Sequence, residues 1–139
     1  MSQENLEQGK REQWEAITAA GNERDFDPIA DLVDPDVEFR SQFSVAEGDG
    51  VYVGIDGYRR WAEDVNATWD DWHSELVDFR DAGGDQAVAV NRLTGRAKES
   101  GVPLDTRVGL ALTWRHGKAW RIVSYRDPHE AFEAVGLAT

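Results

Sequence analysis

From Trp72 onward the chain is a succession of four extended runs, Trp72 to Arg80, Gln86 to Arg96, Leu104 to Trp114 and Ala119 to Arg126. The breaks between them, Ala82-Gly83-Gly84-Asp85, Glu99-Ser100-Gly101-Val102-Pro103 and His116-Gly117, all have turn chemistry. Strands joined this way form an antiparallel meander. A twisted sheet of that kind leaves an apolar face that other elements have to cover, so the first half of the chain decides the fold class.

That first half is mostly helical. From Asn5 to Glu23 the apolar residues Leu6, Trp14, Ile17 and Ala20 recur at helical spacing. Asp27-Pro28 pairs a cap with a first-turn proline, and Ile29, Leu32 and Val33 supply a short second helix ending near Asp34-Pro35. Val37, Phe39, Ser41 and Phe43 alternate with Glu38, Arg40 and Gln42 as a strand, which the loop Glu47 to Gly50 ends. After Gly54-Ile55-Asp56-Gly57, with Asp56 as the expected cap, a third helix is marked by Tyr58, Trp61, Ala62, Val65 and Trp69 and closed by Asp70-Asp71. At the far end Asp127-Pro128-His129-Glu130 starts a short closing helix that Gly136 ends. Helices followed by a meander predict an α+β fold: a curved antiparallel sheet with the N-terminal helices over its concave face, and a pocket inside the cone.

A length of 139 residues fits one domain, residues 1–139. The 27 acidic against 15 basic residues give a net charge of −12, which repels polyanions and anionic membranes. Neither nucleic acid nor a membrane is therefore an expected partner. The absence of cysteine removes disulfides, thiolate metal ligands and a cysteine nucleophile. The polar stretch Met1 to Lys10 has no signal-like apolar core, and no apolar run reaches the ~20 residues of a span, so a cytoplasmic protein is expected. No metal-ligand spacing, phosphate-binding glycine motif or Gly-x-Ser-x-Gly elbow occurs, and no cofactor is expected.

The element order, with Asp34-Pro35-Asp36-Val37-Glu38-Phe39, Gly54-Ile55-Asp56-Gly57-Tyr58, Ser100-Gly101-Val102 and the stretch from Tyr125-Arg126-Asp127 to Gly136-Leu137, resembles SnoaL-like proteins of the nuclear transport factor 2-like superfamily. Ketosteroid isomerase, polyketide cyclases and limonene epoxide hydrolase are relatives in that superfamily. The resemblance runs from about Gln3 to Leu137 and implies a cone whose interior holds a small molecule. It also implies a homodimer through the outer sheet face, where Arg107, Gly109, Ala111 and Thr113 would lie. Aligned residue by residue, the positions of the relatives' catalytic groups carry Ser41 for the isomerase base and Leu110 for its oxyanion-stabilising acid. Ser124 stands at the last-strand aspartate, and Asn91 and Leu93 at the hydrolase's Arg and Asp.

With Ser41, Leu110 and Ser124 inward, strand parity turns Phe39, Val108, Leu112, Trp120 and Ile122 into the cone, and Trp14, Tyr58, Trp61 and Trp69 close it. The expected ligand contacts are thus Trp14, Phe39, Ser41, Tyr58, Trp61, Asn91, Leu110, Leu112, Ile122 and Ser124. A one-residue slip of register would instead bring Arg40, Arg92 or Asp127 inward. His73, beside Trp72, is the candidate neutral-pH base, and Asp127 a second candidate that also fits a cap. The resemblance implies a cofactor-free enzyme acting by proton transfer or hydration on a hydrophobic or aromatic substrate, of isomerase, cyclase or hydrolase type. The missing carboxylates leave a non-catalytic binding domain with the same pocket as the alternative.

Overall fold

The structure, a computed structural model, describes residues 3–25, 27–41 and 50–137. Gln42, Phe43, the loop residues from Glu47 to Asp49 and the side chain of Leu6 lie outside the described residues. Helices α1 (Gln3–Glu23) and α2 (Asp27–Leu32) lead into strand β1 (Val33–Ser41) and a short β2 (Val51–Val53). Helix α3 (Gly54–Thr68) precedes β3 (Trp69–Gly83), β4 (Gln86–Ala97), β5 (Pro103–Arg115) and β6 (Lys118–Tyr125), and α4 (Pro128–Ala134) follows. The strands form one sheet in the order β2-β1-β6-β5-β4-β3. Neighbouring strands run antiparallel except β1 and β6, which are parallel and set Ser41 beside Ser124. The α+β fold expected from the element order is the fold observed, and no described helix is long and apolar enough to cross a membrane.

Helix α1 lies against β3 and turns Lys10, Trp14, Ile17 and Ala20 inward, a spacing of three and four that keeps them on one face. Its final turn covers the free edge of the sheet. The Asn22 amide donates to the Ser74 carbonyl at 2.7 Å and accepts from the Ser74 N–H at 2.8 Å, pairing edge groups that β4 does not reach. The deepest core contains Ile17, Ile29, Val33, Val37, Leu112 and Ile122, each 1% exposed or less.

A smaller core forms on the opposite face, where Val88 and Val90 of β4 meet Ala131 and Phe132 of α4. Gly109 lets that helix approach, since a Cβ there would come within 2.7 Å of Pro128 Cα and 2.8 Å of Ala131 Cβ. Part of the outer face through which the resemblance implied a homodimer is therefore covered by the chain's own helix, with Gly109 and Ala111 buried and Arg107 exposed. The ends of α4 follow their sequence signals: the Asp127 carboxylate accepts from the His129 N–H at 3.0 Å, and Gly136 takes a φ of 76°.

Three local expectations change. Helix α2 ends at Leu32, and Val33 with Asp34-Pro35 belongs to β1. Helix α3 starts at Val53 as its cap residue and places Asp56 in the first turn instead of at the cap. Gly57, inside the first turns of the helix, lies so close to Tyr52 that a Cβ would sit 2.9 Å from a backbone carbon. Asp56 still suits the positive end of the helix dipole there. Trp69, Asp70 and Asp71 belong to β3 and not to the end of α3.

Near the start of β1 the Arg115 guanidinium grips Asp34 with two bonds, at 2.7 and 3.2 Å, and the Asp36 N–H adds a third at 2.9 Å. The arginine bonds first, and that N–H second, hold the Asp34 carboxyl below its ordinary 3.8. A carboxyl lowered in the folded state adds stability that is fully present above its unfolded value and lost as pH falls through the folded one. Urea titrations of native protein and Asp34→Asn should therefore show their largest separation above pH 3.8, closing progressively below it. A separation that stays constant through this acid range would contradict the ion-pair assignment.

Candidate functional site

Between α1, α3 and the concave face of the sheet lies a cavity of about 70 Å³. Six aromatic side chains among the described residues line it: Trp14 from α1, Phe39 from β1, Tyr58 and Trp61 from α3, and Trp69 and Trp72 from β3. Ile17, Val65, Leu93, Leu104, Val108 and Leu110 supply the aliphatic wall, and Thr18, Ser41, Ser74, Asn91 and Ser124 the polar points.

Trp69 and Trp72 would face opposite sides of a regular strand, three residues apart. A bulge between Asp70 and His73, with Asp71 at a φ of 53°, inserts the residue that brings both indoles to one side. Gly95 on β4 makes room for it, because a Cβ at that position would lie 3.0 Å from the Asp70 carbonyl oxygen. The alternation then continues through Ser74 into the wall.

Asn91, 2% exposed, organises the polar part of the site. The Trp14 indole N–H donates to Asn91 Oδ1 at 3.0 Å, and an indole can only donate, which fixes the amide's orientation. Asn91 Nδ2 then donates to Ser74 Oγ at 2.8 Å and to Thr18 Oγ1 at 3.4 Å. Both amide protons are used within the protein, whereas the two hydroxyls keep a proton each to offer. Among the described residues neither hydroxyl, nor that of Ser124, donates to another group. Tyr58 is the one cavity-lining side chain with a titrating proton among the described residues, and burial pushes its phenol well above the ordinary value of 10.0.

Eight of the ten expected contacts line this cavity: Trp14, Phe39, Ser41, Tyr58, Trp61, Asn91, Leu110 and Ser124. Leu112 and Ile122 do not. They face the same side of the sheet but sit deeper, sealed with Ile29, Val33 and Val37 where the cone is filled by side chains. Trp120 leaves the interior altogether, because β6 carries an extra residue between Ala119 and Arg121 that gives the inward place to Ala119. Its ring is flanked instead by the guanidinium groups of Arg115 and Arg121, at 4.5 and 4.8 Å.

Neither candidate for proton transfer reaches the cavity. His73 is exposed, on the face opposite its neighbours Trp72 and Ser74, and Asp127 is exposed at the cap of α4. The alternative register is not adopted either: Arg40 is exposed, and Arg92 forms a two-bond pair with Asp105 at 2.7 and 2.8 Å. Thr18 and Ser74 had escaped notice as polar wall residues. Ser74 could have been found by continuing the alternation from Trp72, and Thr18 by its place one residue after Ile17 on the inner side of α1.

A family model described as a SnoaL-like domain matches residues 14–122, well over half of the chain. No curated protein matches. Among solved structures, TerC co-crystallised with polyporic acid is 21% identical, with 92% of this chain and 98% of that chain covered and a TM-score of 0.74. A hypothetical protein of ketosteroid isomerase-like fold from Catenulispora acidiphila DSM 44928, in complex with trimethylamine, is 16% identical over 91% and 94% of the two chains, at a TM-score of 0.72. An NTF2-like protein of unknown function from Burkholderia pseudomallei K96243 is 19% identical over 97% and 98%, at 0.71. The meander, the helices over its concave face and the cavity between them thus have their counterpart in a known group: the chain belongs to the SnoaL-like domain family and has the nuclear transport factor 2-like fold.

Proposed function

We propose that the protein is a small-molecule-binding domain whose ligand, compact and largely apolar, occupies the cavity between α1, α3 and the sheet. The observation that carries this reading is the wall itself. Among the described residues twelve apolar side chains surround a few hydroxyls and one amide whose protons are both held within the protein. Such a wall takes up apolar surface and offers hydroxyl donors to one acceptor atom of a ligand. A volume of about 70 Å³ corresponds to roughly five to seven water molecules at ~10–15 Å³ each, so the resting cavity suits a ligand of similarly few heavy atoms. The ligands of two structural neighbours, trimethylamine and polyporic acid, indicate that this fold is used to hold organic molecules of different kinds.

Native mass spectrometry of the protein purified from its own host, followed by identification of released molecules, tests this reading. A stoichiometric small organic adduct is expected, and Trp61→Ala should lose it. A protein that carries nothing and takes up nothing from a panel of small apolar compounds would sink the proposal.

A second reading, a cofactor-free isomerase, cyclase or hydrolase, draws support from Tyr58. Its phenol lines the cavity and burial keeps it protonated, the form in which a phenol can act as a hydrogen-bond donor or general acid. Turnover that disappears in Tyr58→Phe while ligand binding persists would favour that enzyme.

A further inference from the structure

We infer that the cavity selects a quaternary ammonium group, an inference that rests on the binding reading above and specifies its ligand. Four indoles, one phenol and one phenyl ring line a single small space. The rings do not form parallel walls. Trp61 meets Phe39 at 4.8 Å and 53°, Tyr58 at 5.3 Å and 54°, and Trp72 at 5.7 Å and 83°, while Phe39 meets Tyr58 at 6.2 Å and 73°. A flat aromatic ligand is best held in a slot between parallel faces, whereas inclined rings enclose a compact, rounded group.

Charge and hydrogen bonding then separate the rounded candidates. Ring faces carry negative potential, strongest for tryptophan, and attract a cation brought within about 6 Å. The described wall contains no Lys or Arg to oppose one, and a net charge of −12 favours the approach of cations. A primary ammonium would bring three N–H donors into a wall that has no carboxylate among the described residues and whose amide oxygen, Asn91 Oδ1, already accepts from Trp14 and has one lone pair left. A fully methylated nitrogen brings none and spreads its charge over methyl groups, so it loses less hydration on burial. A hydroxyl or carbonyl on the same ligand would meet the hydroxyls of Thr18, Ser74 and Ser124.

The test compares choline with 3,3-dimethylbutan-1-ol, which has the same shape with carbon in place of nitrogen. Calorimetric titration of the intact protein should give choline the tighter binding by about tenfold or more. Trp61→Leu and Trp72→Leu, each first checked for native unfolding behaviour, should weaken choline by a larger factor than they weaken the alcohol, so that the ratio of the two affinities falls. Equal or tighter binding of the alcohol would overturn the cation preference and leave the binding reading intact. If neither probe binds but neutral apolar compounds do, the ammonium assignment fails alone. If nothing binds, both fail.

Discussion

Alanine in place of Lys10 is expected to cost the fold about 3–5 kcal/mol, the usual penalty for stripping one partner from a buried ion pair. Lys10 Nζ lies 2.8 Å from Asp81 Oδ1 and 2.8 Å from the Gly84 carbonyl oxygen, with both side chains of the pair 10% exposed or less. It ties α1 to the β3–β4 hairpin across 71 residues of sequence. Without it the Asp81 carboxylate keeps only the Gly83 N–H, at 3.2 Å, as a bonded donor among the described residues. Urea denaturation measures the loss, and adding Asp81→Asn should recover a large part by removing the orphaned charge. A loss below about 1 kcal/mol for the single change would mean that the pair behaves like an exposed one.

Asn91→Leu is expected to cost about 2–4 kcal/mol although leucine matches the amide in size, because the Trp14 N–H, and to a lesser degree Ser74, would be left buried without the partner they have now. Ser74→Ala should cost less, since Asn91 Nδ2 retains Thr18. If ligand uptake depends on a shaped wall and not merely on apolar volume, Asn91→Leu also weakens binding by disordering Trp14. Thermal unfolding and ligand titration on the same samples separate the two effects. An unchanged midpoint would contradict the role of Asn91 as the hub of the site.

Much of this was legible in the sequence, for identifiable reasons. Turn dipeptides at Gly83-Gly84 and His116-Gly117 place the strands, and Asp127-Pro128 with Gly136 brackets α4, because those residue types serve backbone geometries that few others adopt. The family resemblance implied that Ser41, Leu110 and Ser124 face inward, and strand parity added Phe39 and Val108; all five line the cavity. Parity failed at Trp120, where a bulge changes the count, and the bulge at Asp71 fell in a stretch expected to close α3; a bulge depends on the partner strand, and no pattern within one strand reveals it.

Depth was also hidden. Leu112 and Ile122 point the right way but lie where α2 and β1 fill the cone, which is a property of the assembled layers. The Lys10–Asp81 pair was invisible for a similar reason: both residues belong to types that are usually solvated, and only the docking of α1 on the hairpin brings them together.

The chain's six tryptophans provide the most direct test of the cavity as a ligand site. Trp14, Trp61, Trp69 and Trp72 line it, whereas Trp114 and Trp120 lie outside and serve as internal controls. With each indole N–H resonance assigned by single Trp→Phe changes, titration with choline and with the neutral probe of the same rounded shape, 3,3-dimethylbutan-1-ol, should shift the first four. The last two should stay in place. Shifts confined to Trp114 or Trp120, or no shift at saturating concentrations of either probe, would contradict the account.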